Sequence, residues 1–180
     1  DILKITNKPL VATHSSPRKF TPNFERNMSD NMIKDLANNN GLIMLNFGSG
    51  FISKQSNKSL GDINSKVEKY KIENNLEDSD KKLLKYKDDL INSVKPFASI
   101  NDFIDTIDHV KELVGIDHIG LGSDFEGLGN TLPYDLKDAS TYPNILYNLL
   151  EREYSEIEIK KICSDNLFRV WNANLQNRQI

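Results

Sequence analysis

Three side chains in this sequence are of types that can do chemistry at a shared site. His14 and Asp124 each come at the end of a short apolar run, and Arg26 lies in the polar stretch after His14. A histidine can bind a metal ion, a guanidinium can hold an anion, and a carboxylate can bind an ammonium group or accept a proton. Each also has an ordinary alternative: a hydrogen-bonded histidine, an arginine in a surface ion pair, and an aspartate that caps the next element.

The elements that must bring these side chains together are three apolar runs, at 9–13, 42–46 and 118–122. Each run is followed by a polar or glycine-bearing loop, which is typical of buried strands in a parallel sheet. The loops at the carboxyl ends of such strands carry the chemistry of α/β enzymes. We therefore expect His14 and Asp124 to lie at the same end of one sheet.

The segments between these strands show helical periodicity. Ser29 is a predicted N-cap, and Gly41 is expected at the C′ position that ends the same helix. Residues 54–99 are highly charged and predict an insertion of two amphipathic helices with a solvated face. Residues 130–180 are predicted to form a helical C-terminal segment, in which residues 155–158 have the pattern of a capping box.

The order of these elements predicts an α/β fold. Strands alternate with helices, as in parallel sheets whose strands are joined by helical crossovers. Three strands are too few for an open doubly wound sheet, but they fit the last part of a TIM-type (β/α)8 barrel. We therefore expect residues 1–180 to form one partial barrel domain that carries a helical insertion.

Composition excludes several classes of protein. The 180 residues carry a net charge of -3 with a pI of about 5.7, and no basic stripe indicates nucleic-acid binding. The mean hydropathy of -0.52 and the lack of a long apolar run argue against a transmembrane segment. Cys163 is the only cysteine, so no internal disulfide can form. The lack of disulfides and of a visible signal pattern favours a cytoplasmic protein, although the compartment stays open.

An ordered set of motifs resembles the C-terminal part of the membrane (renal) dipeptidase family. These motifs are Thr13-His-Ser-Ser16, Arg26-Asn27, Leu45-Asn-Phe47, Gly115-Ile-Asp-His-Ile-Gly-Leu-Gly-Ser-Asp-Phe-Glu-Gly127 and Asp165-Asn-Leu-Phe-Arg-Val170. The family consists of binuclear zinc peptidases with a TIM-type barrel. Many members have Asp where Glu126 stands, which is a mild departure.

The resemblance implies a role for four residues. His14 matches a histidine ligand to zinc, and Arg26 matches the arginine that holds the C-terminal carboxylate of a dipeptide. Asp124 matches the aspartate that meets the amino group of the substrate and assists proton transfer. Phe51 stands where some members have a tyrosine that faces the substrate, so a hydrogen bond from that hydroxyl is not expected here.

The remaining zinc ligands of the family lie upstream of the motifs found here. They are a His-x-Asp pair, a bridging glutamate and a further histidine, and His14 alone matches the set. His109 and His118 fall on a predicted helix and at the start of a predicted strand, and we expect them to be structural. The resemblance thus implies the C-terminal portion of a zinc dipeptidase with two metal ions, in which the isolated chain is incomplete and inactive.

Two other functions are open at this point. The chain could be a non-catalytic assembly or binding module that completes a barrel with another chain and keeps Arg26 and Asp124 for amino-acid capture. It could also belong to a barrel amidohydrolase that acts on a cyclic amide, although the Arg26 clamp favours a substrate with a free carboxylate. We expect either a homodimer or association with the missing N-terminal part. The preferred dipeptide cannot be read from the sequence.

Overall fold

A three-stranded parallel sheet lies at the centre of the computed structural model, which describes residues 2–175. Its strands are β1 (Val11–Ser15), β2 (Leu42–Leu45) and β3 (Ile119–Leu121), in the order β1-β2-β3. The α/β class, the three strands and their parallel arrangement are therefore confirmed. Within the described residues, β1 and β3 each have one edge that pairs with no other strand.

The first strand begins later than predicted, and this changes the position of His14. Ala12 pairs with Ile43, but the next pair joins Ser15 to Leu45, so β1 carries an extra residue relative to β2. Such a bulge re-aims side chains and keeps a polar segment within the sheet. The prediction that His14 lies in a loop after the strand is therefore wrong, because His14 is part of β1.

Helices surround the sheet. They are α1 (Asp30–Asn38), α2 (Ser49–Ile52), α3 (Lys54–Glu73), α4 (Lys81–Val94), α5 (Ile100–Val114), α6 (Phe125–Leu128), α7 (Tyr142–Glu151), α8 (Glu156–Lys160) and α9 (Asn166–Leu175). A π-helical turn at Lys161–Asp165 joins the last two. No helix within residues 2–175 combines the length and the apolar character needed to cross a membrane.

The hydrophobic core lies between the sheet and α5. Ile43 and Leu45 of β2 are fully buried, as is Phe103 of α5. Phe47, just after β2, packs against Phe103 with 4.5 Å between ring centroids and against Phe125 with 5.6 Å. Because Phe125 directly follows Asp124, this packing anchors the segment that presents the candidate carboxylate.

Local capping signals set most helix boundaries as predicted. The Ser29 side chain accepts a hydrogen bond from the N–H of Met32, and the capping box at residues 155–158 is present. At the other end of α1, Asn40 rather than Gly41 has the left-handed conformation, with φ of 56°. Gly41 is needed for a different reason, since a Cβ there would lie 2.6 Å from Leu10 O.

The predicted insertion folds as two packed helices, α3 and α4. Their contact includes stacked rings of Tyr70 and Tyr86, whose centroids are 4.0 Å apart. Ile63 and Leu83 are buried, while the charged residues of both helices, apart from the half-buried Lys71, face solvent. Only residues 46–53, which include α2, separate β2 from α3. The α3 helix therefore begins close to the end of β2.

Charged and phenolic side chains join α5 to the C-terminal helices. Arg152 forms an ion pair with Asp108, which also accepts a hydrogen bond from Tyr154 Oη at 2.6 Å. Burial, assisted by Asp108, raises the pKa of Tyr154. Lys111 Nζ lies 2.6 Å from Glu158 Oε1 and, with the N–H of the capping box, lowers the pKa of Glu158 to about 2. This cluster is a structural link between helices.

Polar side chains also close the amino end of β3. His118 Nδ1 donates to Gly41 O at 2.9 Å. The buried Asn166 amide donates to Ile116 O and to Ile119 O, each at 2.8 Å. Both side chains donate to backbone carbonyls at the end of the strand opposite Asp124, so His118 has the structural role expected of it.

Candidate functional site

The carboxyl ends of β1 and β3 meet at Gly122. A Cβ on Gly122 would lie 2.3 Å from Thr13 O and 2.8 Å from Met44 O, so only glycine fits between these backbones. Thr13 precedes His14 in β1, and Gly122 lies shortly before Asp124. The close approach therefore brings the His14 and Asp124 segments to the same edge of the sheet, as the strand pattern predicts.

The His14 ring is exposed at this edge. Its Nδ1 lies 2.7 Å from Thr13 Oγ1, and in the tautomer in which Nδ1–H donates, Nε2 carries the free lone pair. A metal-binding histidine usually has its second ring nitrogen held by such a hydrogen bond. Within residues 2–175, Nε2 has no hydrogen-bond partner, so it is available to a ligand.

Arg26 lies beside His14. Its Nη2 donates to His14 O at 2.9 Å, and its Cζ is 5.6 Å from the centroid of the Phe51 ring. The backbone is tied from the other side, since Ser15 Oγ donates to Arg26 O at 3.2 Å. The guanidinium is exposed and, among the described residues, pairs with no carboxylate. Its remaining N–H groups can therefore bind an external anion.

The buried Asn27 side chain holds the Arg26 loop in place. Its Nδ2 donates to Thr21 Oγ1 at 2.6 Å and to Phe51 O at 2.7 Å. Its Oδ1 accepts from Ser16 N at 3.2 Å. One fully buried amide thus fixes the end of β1, the Arg26 loop and the segment that carries Phe51. In the sequence, Asn27 is only part of a motif, and no local pattern indicates its role.

Asp124 has an unusual backbone conformation. Its φ of 56° and ψ of 33° lie in the left-handed region, which few residues other than glycine, asparagine and aspartate adopt. Asn46 Nδ2 donates to Asp124 Oδ2 at 3.0 Å. A Cβ on Gly127 would lie 2.3 Å from Asp124 Oδ1, so the glycine leaves room for the carboxylate. Both oxygens therefore have defined surroundings.

Asn46 connects all three strand ends. It is fully buried directly after β2, and its N–H donates to Ser15 O at 3.0 Å. Its Oδ1 accepts from Gly48 N at 2.7 Å, which orients Nδ2 towards Asp124. Asn46 follows a buried strand directly, and this is the same position in the sequence pattern that indicates Asp124 as a site residue. It is a positioning residue for the carboxylate.

The described residues contain no complete metal site. Between residues 2 and 175, no group of three histidine, cysteine, aspartate or glutamate side chains could hold a metal ion. A catalytic zinc takes about three protein ligands. Residues 2–175 therefore supply fewer side chains than such a metal ion needs.

The other two histidines do not contribute to this edge. His109 is buried in α5, where Nε2 lies 2.9 Å from Asp30 Oδ1 and Nδ1 lies 3.1 Å from Lys19 Nζ. Because lysine can only donate, Nδ1 accepts from Lys19 and Nε2–H donates to Asp30. The structural role expected of His109 is confirmed, since both ring nitrogens are occupied.

Almost the whole chain matches a known protein family. The model of the membrane dipeptidase family (peptidase family M19) matches residues 1–179. The chain belongs to the membrane dipeptidase family. The resemblance of the ordered motifs is thereby confirmed at the level of the family, which is a family of metallopeptidases.

Relatives within the membrane dipeptidase family are longer than this chain. An uncharacterized dipeptidase of Schizosaccharomyces pombe is 30% identical over 172 residues, which cover 95% of this chain and 32% of that protein. The chain therefore spans about a third of the length of this curated relative.

Two solved structures share the fold. One is the probable dipeptidase PvdM from Pseudomonas aeruginosa, with a TM-score of 0.71, 23% identity and coverage of 96% of this chain and 46% of the other. The second is a metallo peptidase from Rhodobacter sphaeroides liganded with a phosphinate mimic of the dipeptide L-Ala-D-Ala. Its TM-score is 0.68 at 23% identity, with coverage of 96% and 38%.

Proposed function

We propose that this chain is the C-terminal, substrate-binding part of a metal-dependent dipeptidase. The observation that carries the proposal is the sheet edge at Gly122, where the β1 bulge with His14 and the Asp124 segment are held together. Arg26 is bonded to His14 O and Asp124 to Asn46, so a cation and an anion are both fixed at this edge. Such a pair suits a substrate with one free carboxylate and one free amino group.

The fold supports a partial barrel. Three of the eight strands of a TIM-type barrel would be present, which agrees with the third to half of the relatives' length that the chain covers. The outer edge of β1 pairs with no strand within residues 2–175. Trp171 of α9, which is 61% exposed, lies with Val11 of β1 in an apolar groove. The preceding strands and helices of the barrel would cover both features.

His14 would hold one of two zinc ions through Nε2, and the other ligands would come from the rest of the barrel. When bound, zinc lowers the pKa of a coordinated water and polarises the scissile carbonyl. The contribution of this chain is to place the imidazole: the bulge exposes the ring, Thr13 Oγ1 holds Nδ1 by a hydrogen bond, and Arg26 holds the backbone of His14.

The substrate would be fixed at both ends. Arg26 would bind the C-terminal carboxylate with its free N–H groups, because a planar guanidinium can form two parallel hydrogen bonds to a carboxylate. Asp124 would bind the amino group and accept or release a proton there. These two interactions, at opposite ends of the substrate, select for the length of a dipeptide. Their binding energy orients the peptide bond for attack.

Hydrolysis of end-blocked substrates tests this proposal. The complete enzyme should hydrolyse dipeptides with free ends, and N-acetylation or C-terminal amidation should each lower kcat/KM by at least roughly tenfold, because each removes a charged contact. A chelator should abolish activity and added zinc should restore it. Equal rates on free and amidated dipeptides would contradict the carboxylate grip.

The alternative is a module that completes a barrel with another chain and has no activity of its own. Within residues 2–175 no cluster of three side chains could hold a metal ion, and this supports the alternative for the isolated chain. A reading frame that lacks the upstream His-x-Asp pair and bridging glutamate would support the non-catalytic module. A reading frame that contains these residues would support the dipeptidase.

A further inference from the structure

A pocket of about 320 Å³ opens between the Arg26 loop and the inserted helix α3, and it is lined by Phe51, whose ring the Arg26 guanidinium also contacts. Phe24, Phe51 and Leu60 line it with apolar side chains. Two glycines and two asparagines complete the lining, Gly50, Gly61, Asn57 and Asn64. Its volume is at the lower end of the roughly 300–1,000 Å³ found for small-molecule sites, which suits one large side chain.

The walls of this pocket are held by hydrogen bonds and ring packing. Asn27 Nδ2 donates to Phe51 O, and Asn57 Nδ2 donates to Gly50 O, both at 2.7 Å. The rings of Phe24 and Phe51 pack edge to face with centroids 5.4 Å apart. The pocket is therefore preformed and needs no rearrangement to accept an apolar group.

The position of Arg26 indicates which part of a dipeptide reaches this pocket. Its Cζ lies 5.6 Å from the Phe51 ring centroid, so the guanidinium and the pocket share the Phe51 side chain. In a dipeptide, the carboxylate and the side chain of the C-terminal residue are attached to the same Cα. A carboxylate bound to Arg26 therefore places that side chain beside Phe51, whereas Asp124 is held by Asn46 on the neighbouring strand end.

We propose that this pocket binds the side chain of the C-terminal residue and gives the enzyme a preference for dipeptides that end in a large apolar residue such as Leu, Met or Phe. The inference rests on the proposed dipeptidase function and adds the substrate class. Residues of α3 form one wall, so the charged insertion would be a specificity element. Aromatic side chains would gain edge-to-face contacts with Phe24 and Phe51.

Gly61 provides a direct test because it lies on the pocket wall without packing constraints. A Cβ at Gly61 meets no atom within 4 Å, and leucine favours a helix more than glycine does. Side chains on a helix lean towards the preceding turn, where Asn57 lines the pocket. Gly61→Leu should therefore fill the pocket and leave the fold intact.

The experiment compares kcat/KM for Ala-Leu, Ala-Phe and Ala-Gly in the complete enzyme and its variants. The wild type should prefer Ala-Leu and Ala-Phe over Ala-Gly by at least about tenfold, which is typical of filling an apolar pocket. Gly61→Leu should lose most of this preference, measured as the ratio of kcat/KM for Ala-Leu or Ala-Phe to kcat/KM for Ala-Gly. Asp62→Leu, which adds the same side chain to an exposed position outside the pocket, should keep the preference.

The outcomes separate the two proposals. A wild type that hydrolyses dipeptides without this preference, or a Gly61→Leu variant that retains it, would overturn the pocket assignment alone. A wild type that hydrolyses no dipeptide would overturn the proposed function and the pocket assignment with it. Thermal unfolding of each variant shows whether it is folded.

Leu60→Ala enlarges the pocket. This variant should therefore raise kcat/KM for Ala-Phe relative to Ala-Leu.

Discussion

Arg26→Ala is expected to lower kcat/KM for a free dipeptide by about 2–4 kcal/mol, or roughly 30- to 1,000-fold, because it removes a charge-assisted contact to the substrate carboxylate. Arg26→Lys should recover only part of the loss, since an ammonium cannot form two parallel hydrogen bonds. The loss should be small for an amidated dipeptide, which lacks the carboxylate. Steady-state kinetics on the matched free and amidated substrates measures this difference.

Two controls separate substrate binding from structure. Glu25→Ala alters the exposed neighbour of Arg26 in the same loop and should leave kcat/KM near that of the wild type. Metal content must also be measured for Arg26→Ala, because Nη2 donates to His14 O. Near-wild-type kinetics of Arg26→Ala on a free dipeptide would show that Arg26 is a surface arginine, worth roughly 0–1 kcal/mol of stability.

Asp124→Asn is expected to lower kcat/KM by at least about 100-fold, the lower range for loss of a group that transfers a proton. Asparagine is the closest structural replacement because it tolerates the left-handed conformation of this position and can still accept the hydrogen bond from Asn46. The fold should therefore be retained while the charge is lost. Kinetics with thermal unfolding as a check on the fold measures the effect.

A neighbouring substitution provides the matched control for Asp124→Asn. Glu126→Gln removes an exposed carboxylate in α6 by the same change of charge and should leave kcat/KM within about twofold of the wild type. Equal activity of Asp124→Asn and wild type would show that Asp124 only caps the start of the short α6 helix and has no role in catalysis.

Local signals in the sequence were sufficient for most elements of the fold. Ser29 and the capping box at residues 155–158 mark helix starts that the structure confirms, because these side chains bond to backbone groups within the same turn. Apolar runs bounded by glycine and polar residues located β2 and β3. The shift of β1 was not predictable in the same way, since the bulge at Thr13 and His14 depends on pairing with β2.

The candidate site was predicted through its charged residues but not through the amides that position them. His14, Arg26 and Asp124 stand out because of their chemistry and their places near strand ends. Asn27 and Asn46 are buried side chains whose partners lie far away in the sequence, so no local pattern distinguishes them from loop asparagines. The pocket likewise depends on how α3 packs beside Phe51.

The most direct test of the central proposal is a measurement of metal content. It compares the purified 180-residue chain with the complete enzyme and with the His14→Ala variant of that enzyme. After exhaustive dialysis, the complete enzyme should retain about two zinc ions, as in two-metal hydrolases, and the His14→Ala variant should retain fewer. The 180-residue chain should retain no stoichiometric zinc and should not hydrolyse dipeptides, because it supplies one matched ligand. Tightly held, stoichiometric zinc in the 180-residue chain would contradict the assignment of this chain as one part of a larger metal-dependent site.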